Sequence, residues 1–404
     1  MANKFSFGGW IYNPVGYFSP DEIDVWSECG FNMGVTEHAV YGKDNFADMI
    51  PLLDRAYEKG IRMYANVSGI KHDDIVVIGD EECERRVREI CSVIGDHPAL
   101  AGFFAGDEPG TYEAIHASER CMRIMKKVAP HLQPYLNITG NSPKFSREVF
   151  GGKSFPQWLE DITTEINDAH FSFSQYNQMV DSDGITDYFN SIKGIVEHAE
   201  KTGFGIWSCG LLSAHYNFRI PTEYDIMWQI TTAAALGCKG VFWFRFYDRA
   251  IGPNYHGSPV DEYGNKTEQY YRLLRCQRRF NDHYGEIIMS LKRKSSYFMG
   301  TQRGDYPMFG ANTHPYVTAI KAERDAIVSF FEDESGKEYM VLVNASQTKD
   351  GVFKIYHDKE KSDLVEVLFN GKQDIPYAFG NGKDHWDGQW LYPGQMCMFR
   401  IDRK

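Results

Sequence analysis

The chain has 404 residues, 43% of them hydrophobic and 24% charged, with a formal net charge of −12. That length and apolar content support one large core and a smaller second one, and they exclude a disordered chain. No Lys/Arg block interrupts the mixed-sign charge pattern, so the acidic balance argues against nucleic acid or an anionic membrane and for a neutral partner.

Eight cysteines (29, 83, 91, 121, 209, 238, 276, 397) show no C-x-x-C and no regular spacing, and most lie in apolar segments, so free core thiols are expected. Met1 to Gly8 lacks the apolar stretch of a secretory signal, and nowhere do about 18 apolar residues run together. The expectation is a soluble chain without membrane contact, cytoplasmic or a processed secreted form. Aromatics reach 15%, with 24 Tyr and 8 Trp. Flat rings suit the C–H faces of sugars, and they also fill a Tyr-rich core.

From Phe5 to about Lys292 one pattern recurs: a short apolar stretch, polar or aromatic residues at its end, then an amphipathic segment closing in glycine. The apolar stretches are 5–11, 31–37, 61–67, 100–106, 133–139, 169–176, 203–209 and 239–246. The first helix follows in "SPDEIDVWSECG", with Ser19 as N-cap, Pro20 at the first helical position and Glu22 closing a capping box. "EECERRVREICSVIG" and "TEYDIMWQITTAAALG" carry apolar residues at helical spacing. Gly30, Gly60, Gly203 and Gly237 stand where helices hand over to strands and a left-handed residue is needed.

Eight strand-then-helix units point to an α/β fold, a (β/α)8 TIM barrel, because right-handed parallel crossovers close on themselves. A doubly wound open sheet is the competitor, but no G-x-G-x-x-G follows the first strand. After about residue 320 the chain changes to short alternating runs with turn signals at Glu334-Ser335-Gly336 and Asn370-Gly371. The expected organisation is a catalytic barrel over 1–318 and a small C-terminal antiparallel, sandwich-like β domain over 319–404.

Barrel enzymes act at the C-terminal ends of their strands. Those ends offer Trp10 and Tyr12, Glu37 and His38, Asn66 and Ser68, Asp107 and Glu108, Asn137 and Thr139, Gln175 and Tyr176, Trp207, and finally Trp243, Arg245 and Tyr247. Amides, aromatics and few charges suit hydroxyl groups. No His/Cys/carboxylate set has metal-ligand spacing, and there is no H-E-x-x-H, P-loop or G-x-S-x-G, so no cofactor or metal is expected. What remains is the Asp107–Glu108 pair in "GFFAGDEPG". Two carboxylates are the basic equipment of glycoside hydrolysis. The pair also reads as an acidic start for the helix beginning near Thr111.

A fourth-strand Glu followed by Pro resembles the Asn-Glu-Pro of the large clan of barrel glycosidases. "PTEYDIMWQITTAAALGCKGVFWFR", 221–245, resembles the corresponding stretch of family 42 β-galactosidases. This resemblance implies Glu108 as acid/base. Asp107 stands where the clan has Asn, and the seventh strand, "GFGIWSCGLL", lacks the clan's nucleophilic Glu. Glu37 is the spare candidate for that role, or a carboxylate bonding a hydroxyl or paired with Arg245. Glu223, in the first turn of a helix, complements the helix dipole instead. Adjacent Asp-Glu in a "DEP" context also resembles the substrate-assisted β-N-acetylhexosaminidases of families 20 and 123, whose nucleophile is the substrate's own acetamido oxygen.

On that second resemblance Glu108 is the acid/base and Asp107 orients the acetamide. A general acid must hold its proton near neutral pH, and an ionised neighbour raises its pKa. Pro109 is expected to bias Glu108 towards extended backbone. Tyr176 is placed to donate to the acetamide carbonyl, with Trp207 and Trp243 walling the acetyl group or serving as core. Arg245, on the same strand face as Trp243, contacts hydroxyls or anchors Asp107. Asn137 and Gln175 read hydroxyls or satisfy backbone groups, and Glu37, His38 and Tyr247 complete the candidate sugar-binding set. The Gly/Pro/Tyr loop 249–265 is a binding wall or a surface excursion.

The expected activity is that of a retaining exo-β-N-acetylhexosaminidase, with N-acetylgalactosamine a candidate sugar and a glycan or glycoconjugate as partner. The alternatives are a clan-like β-glycosidase of β-galactosidase type and a barrel that binds glycans without cleaving them. A homo-oligomer is compatible with the sequence.

Overall fold

Eight strands follow one another with helices between them: β1 (Ser6–Gly9), β2 (Met33–Val40), β3 (Arg62–Ser68), β4 (Leu100–Asp107), β5 (Gln133–Thr139), β6 (His170–Ser174), β7 (Ile206–Leu211) and β8 (Gly240–Phe244). The computed structural model describes residues 4–140, 148–166, 168–181, 184–203, 205–248, 254–368, 373–374 and 386–404. The strands form one sheet in the order β1-β8-β7-β6-β5-β4-β3-β2. Where β1 meets β2 the ring is drawn together by Asn32, whose N–H donates to Phe7 O at 3.0 Å and whose Oδ1 accepts from Phe7 N at 2.9 Å. This is the expected (β/α)8 barrel.

Between the strands run α1 (Glu22–Cys29), α2 (Ile50–Glu58), α3 (His72–Ile94), α4 (Tyr112–Val128), α5 (Phe155–Glu165), α6 (Ile185–Thr202) and α7 (Glu223–Ala235). Gly30, Gly60, Gly203 and Gly237 have φ of 96°, 70°, 78° and 106°, the left-handed region that a side chain disfavours. The capping box expected at Ser19 does not form. Helix α1 begins later, at Glu22, and the Glu22 carboxylate accepts from Tyr247 Oη at 2.8 Å instead of returning to the backbone. At α7 a capping box does form between Thr222 and Asp225, and Glu223 in that first turn is bound by Arg275 at 2.7 Å.

Two compact units divide the chain: Ser6–Arg219 with Val241–Tyr271, and Met1–Phe5 with Ile220–Gly240 and Arg272–Lys404. In the first, the barrel interior is filled by Trp10, Val35, Tyr64, Phe104, Tyr135, Trp207 and Phe242, all buried. Each is an inward-facing residue of its own strand, save Trp10, which follows β1 directly. In the second, α8 (Glu268–Phe280), from Arg272 onward, and α9 (Glu286–Ser290) lead, among the described residues, to nine strands.

These strands are β9 (Lys292–Met299), β10 (Val317–Ala322), β11 (Ala326–Glu332), β12 (Glu338–Asn344), β13 (Gly351–His357), β14 (Ser362–Val367), β15 (Gln373–Asp374), β16 (Asp387–Leu391) and β17 (Met396–Arg403). They make a three-stranded sheet, β10-β13-β16, and a six-stranded sheet, β15-β14-β17-β12-β11-β9. Phe353 and Ile355 of the smaller sheet share a core with Phe330, Leu342 and Phe399 of the larger. At Glu334-Ser335-Gly336 the hairpin turn forms, with Gly336 at φ 81° and Asp333 Oδ1 accepting from Ser335 and Lys337 N–H. Asn370-Gly371 lies outside the described residues. Among the described residues no helix is long and apolar enough to cross a membrane.

Candidate active site

Strand β4 is not regular, and its irregularity builds the site. Phe104 pairs with Tyr135 of β5, but Gly106 pairs with Leu136 and Asp107 with Asn137, so Ala105 is an extra residue, a bulge. Phe104 faces the barrel interior. Without the bulge Asp107, three residues on, would face outward, because side chains alternate. The inserted residue turns it inward, beside Asn137. Gly106 then takes the outward position, against α3, where a Cβ would meet His72 Nδ1 at 2.3 Å.

Asn137 fixes the carboxylate. Its Nδ2 donates to Asp107 Oδ1 at 2.8 Å and to Ser174 Oγ at 2.9 Å, and its Oδ1 accepts from Ser172 Oγ at 2.6 Å. Burial pushes the Asp107 carboxyl above its ordinary range, while the Asn137 N–H and the charges of Lys71 and His72 pull it back. Lys71 is itself steadied by Asn66, to whose Oδ1 it donates at 2.6 Å.

Glu108 has φ +45°, and its N–H donates to Asn137 O at 2.9 Å. The extended backbone expected before Pro109 is therefore not adopted. The hydrogen bond to β5 and the reversal into α4 outweigh the proline's preference. A non-glycine residue at positive φ is uncommon and concentrates at functional sites. Helix α4 is capped by Thr111, whose Oγ1 accepts from Ala114 N at 3.2 Å, and its first-turn acid is Glu113. Asp107 and Glu108 are thus not the acids of that helix. Burial first, and the charge of Asp107 second, push the Glu108 carboxyl up to about 7, against a lowering hydrogen bond from Ser174.

Both carboxylates open onto a cavity of about 670 Å³. Water reaches them through its mouth, while its walls remove much of their hydration. Of the candidate catalytic and sugar-binding residues, Asp107, Glu108, Asn137, Gln175, Tyr176 and Arg245 line this cavity, together with the strand-end residues Trp10, Tyr12 and Thr139. Gln175 lies against Gly140, where a Cβ would strike its Oε1 at 2.1 Å. Tyr176 Oη is 3.1 Å from Cys209 Sγ, and burial holds its phenol well above the ordinary value and so protonated. Arg245 is buried, with its guanidinium 4.4 Å over the Tyr255 ring.

Five expected residues lie elsewhere. Trp207 is inside the barrel but below the cavity lining, stacked on Phe242 with ring centroids 5.3 Å apart. Trp243 faces the opposite way, against Gly210, where a Cβ would meet its Cε3 at 2.4 Å. It does not share a face with Arg245, because β8 ends at Phe244 and alternation stops there. Glu37 is displaced by an irregularity in β2: Val35 pairs with Tyr64 but His38 with Asn66. Strict alternation would aim Glu37 inward with Val35; the irregularity gives that face to His38. Glu37 instead accepts from the N–H of Phe18 at 2.8 Å and of Gly16 at 3.3 Å, organising the loop after β1. His38 Nε2 contacts Ser68 Oγ at 2.6 Å. Tyr247 is buried, with its hydroxyl between Glu22 and the Trp26 indole N–H.

The structure adds residues that the sequence reading passed over. Ser174 touches both Asn137 and Glu108; the alternation of Ser172 and Ser174 with Phe171 and Phe173 was its signal. His215, Phe218 and Tyr255, from the loops after β7 and β8, form the aromatic wall that was expected from Trp207 and Trp243. Residues 249–253 of the second loop lie outside the described residues, and the rest includes Tyr255 in that wall.

No family model and no curated protein matches the sequence. Solved structures do match. A catalytic mutant of Gan42B, a family 42 β-galactosidase from G. stearothermophilus, is similar over 100% of this chain and 99% of its own, at 9% identity and a TM-score of 0.66. A family 5 glycoside hydrolase from Bacteroides vulgatus is similar over 98% of this chain and 89% of its own, at 11% identity and a TM-score of 0.61. A further glycoside hydrolase covers 98% of this chain and 92% of its own, at 13% identity and a TM-score of 0.61. At identities this low the structural likeness shows the barrel fold alone, and a fold does not fix the chemistry.

Proposed function

We propose that the protein is a glycoside hydrolase, and specifically a retaining exo-β-N-acetylhexosaminidase that uses the substrate's acetamido group as nucleophile. One observation carries this reading: among the described residues lining the cavity, the carboxylates are Asp107 and Glu108, adjacent at the end of β4, and β7 (IWSCGL) has none. A two-carboxylate retaining scheme needs acids on opposite sides of the scissile bond, whereas substrate assistance is the documented exception.

The tasks divide by environment. Asp107 holds the donor from Asn137 and lies near Lys71, so it loses its proton first; Glu108, desolvated and facing that charge, keeps its own. Glu108 protonates the glycosidic oxygen as the C1–O bond breaks. The acetamide carbonyl oxygen closes on C1 to give an oxazolinium ion, whose N–H donates to ionised Asp107. Water then attacks C1, giving its proton to Glu108, and the acetamide is restored with configuration retained. The Tyr176 hydroxyl, whose near partner is a weakly bonding thiol, is available to hold the acetamide oxygen.

Chromogenic β-N-acetylgalactosaminide, β-N-acetylglucosaminide and β-galactoside substrates test this reading in parallel. Cleavage of the N-acetylated sugars with inhibition by a thiazoline analogue is expected. The whole-chain likeness to a family 42 β-galactosidase favours a second reading, a β-galactosidase with an enzyme nucleophile; cleavage of plain galactosides alone would establish it against the first. Binding without turnover of any sugar would leave a glycan-binding barrel.

A further inference from the structure

Tyr216 lines the cavity's rim with 74% of its surface exposed and a backbone φ of +49°. Exposure alone would say little. A bulky residue held at positive φ, however, is an outlier that persists only where surrounding structure enforces it. That structure is a zipper of backbone hydrogen bonds among three loops. His215 and Phe218 exchange bonds in both directions, at 3.2 and 2.8 Å, which puts Tyr216 at the tip of a tight hairpin.

The loop after β6 joins through Val180 N to Asn217 O at 2.8 Å and Arg219 N to Gln178 O at 2.9 Å. The loop after β8 joins through Ala214 and His256, which exchange bonds at 2.9 and 3.1 Å, and through Asn254 Oδ1, which accepts from Tyr216 N at 3.0 Å. The ring is then propped edge-on by His215 and Tyr255, at centroid distances of 5.6 and 5.9 Å and angles of 66° and 71°. Those two props are themselves stacked on each other, 5.1 Å apart at 14°.

A propped, pre-oriented and water-exposed aromatic at the mouth of a carboxylate-bearing cavity is a platform for the apolar C–H face of a pyranose. We infer that Tyr216 forms a second sugar subsite, which receives the ring on the leaving-group side of the scissile bond. The inference rests on the glycosidase reading above: the sugar that is cleaved off occupies the cavity, the bridging oxygen meets Glu108, and the next ring of the chain emerges at the rim. The preferred substrate is therefore an oligosaccharide and not a glycoside of a small alcohol.

The test compares an N-acetylated β-linked disaccharide with the methyl glycoside of the same first sugar, in the wild type, Tyr216→Ala and Tyr216→Trp. About a tenfold loss of kcat/KM in Tyr216→Ala on the disaccharide is expected, the size of one stacked ring, with the methyl glycoside unchanged and the Trp variant close to wild type. Equal losses on both substrates, or no loss on either, would overturn the subsite. If the wild type hydrolyses neither, the functional reading has failed by itself. Calorimetric binding of the same two sugars then decides the subsite: tighter binding of the disaccharide that Tyr216→Ala abolishes supports it, and equal affinities refute it.

Discussion

Asn137 holds Asp107: one amide on β5 donates at 2.8 Å to a carboxylate on β4, and a bulge at Ala105 is what lets the two meet. The same amide donates to Ser174 and accepts from Ser172 on β6, so its orientation is set by three strands. Removing it leaves Asp107 without its donor and free to turn. Asn137→Ala should lower kcat on N-acetylated substrates by about ten- to a hundredfold, the worth of a hydrogen bond to a charged group. Steady-state kinetics with KM measured separately checks this; a change confined to KM would mean that Asn137 reads substrate hydroxyls instead.

Glu108 must be protonated to act, and its carboxyl is pushed up to about 7. Activity should therefore fall as pH rises through about 7, close to tenfold per pH unit beyond it. Glu108→Gln should remove that limb and slow substrates with poor leaving groups by about 10²- to 10⁴-fold, while activated aryl glycosides, which need little protonation, suffer less. A pH profile of kcat/KM on both substrate types is the measurement.

The same shift has a sign for stability. A carboxyl raised from 4.5 to about 7 by folding binds its proton more tightly in the folded state, so its contribution is complete below 4.5 and is lost as pH rises to about 7. Glu108→Gln cannot ionise and escapes this loss. Its Tm should gain on the wild type across that window; parallel Tm curves would show that Glu108 is not raised.

Glu37 holds two loop N–H groups away from the cavity. Glu37→Ala should destabilise the protein by about 1–3 kcal/mol, the worth of part-buried hydrogen bonds to a charged group, read as a lower urea midpoint. Added azide should not rescue activity, since no glycosyl–carboxylate bond forms there. Rescue with an inverted azide product would make Glu37 the nucleophile.

Trp207 stacks on Phe242 inside the barrel and does not line the cavity. Trp207→Phe leaves a void and should cost about 1–3 kcal/mol of stability with KM unchanged. A raised KM with unchanged stability would return Trp207 to the sugar.

By itself the sequence determined the alternation of strand and helix, the left-handed joints at Gly30, Gly60, Gly203 and Gly237, and the position of Asp107–Glu108 at the end of the fourth strand. Each of these is a local property: a period, a cap, a place in a run. Which face a side chain takes is local only while a strand stays regular. One extra residue at Ala105 turns Asp107 in, and an irregularity after Val35 turns Glu37 out. Both depend on how the neighbouring strand is registered, which no single segment encodes. The aromatic wall was decided at the same level, by loops after β6, β7 and β8 that meet only once the barrel has closed.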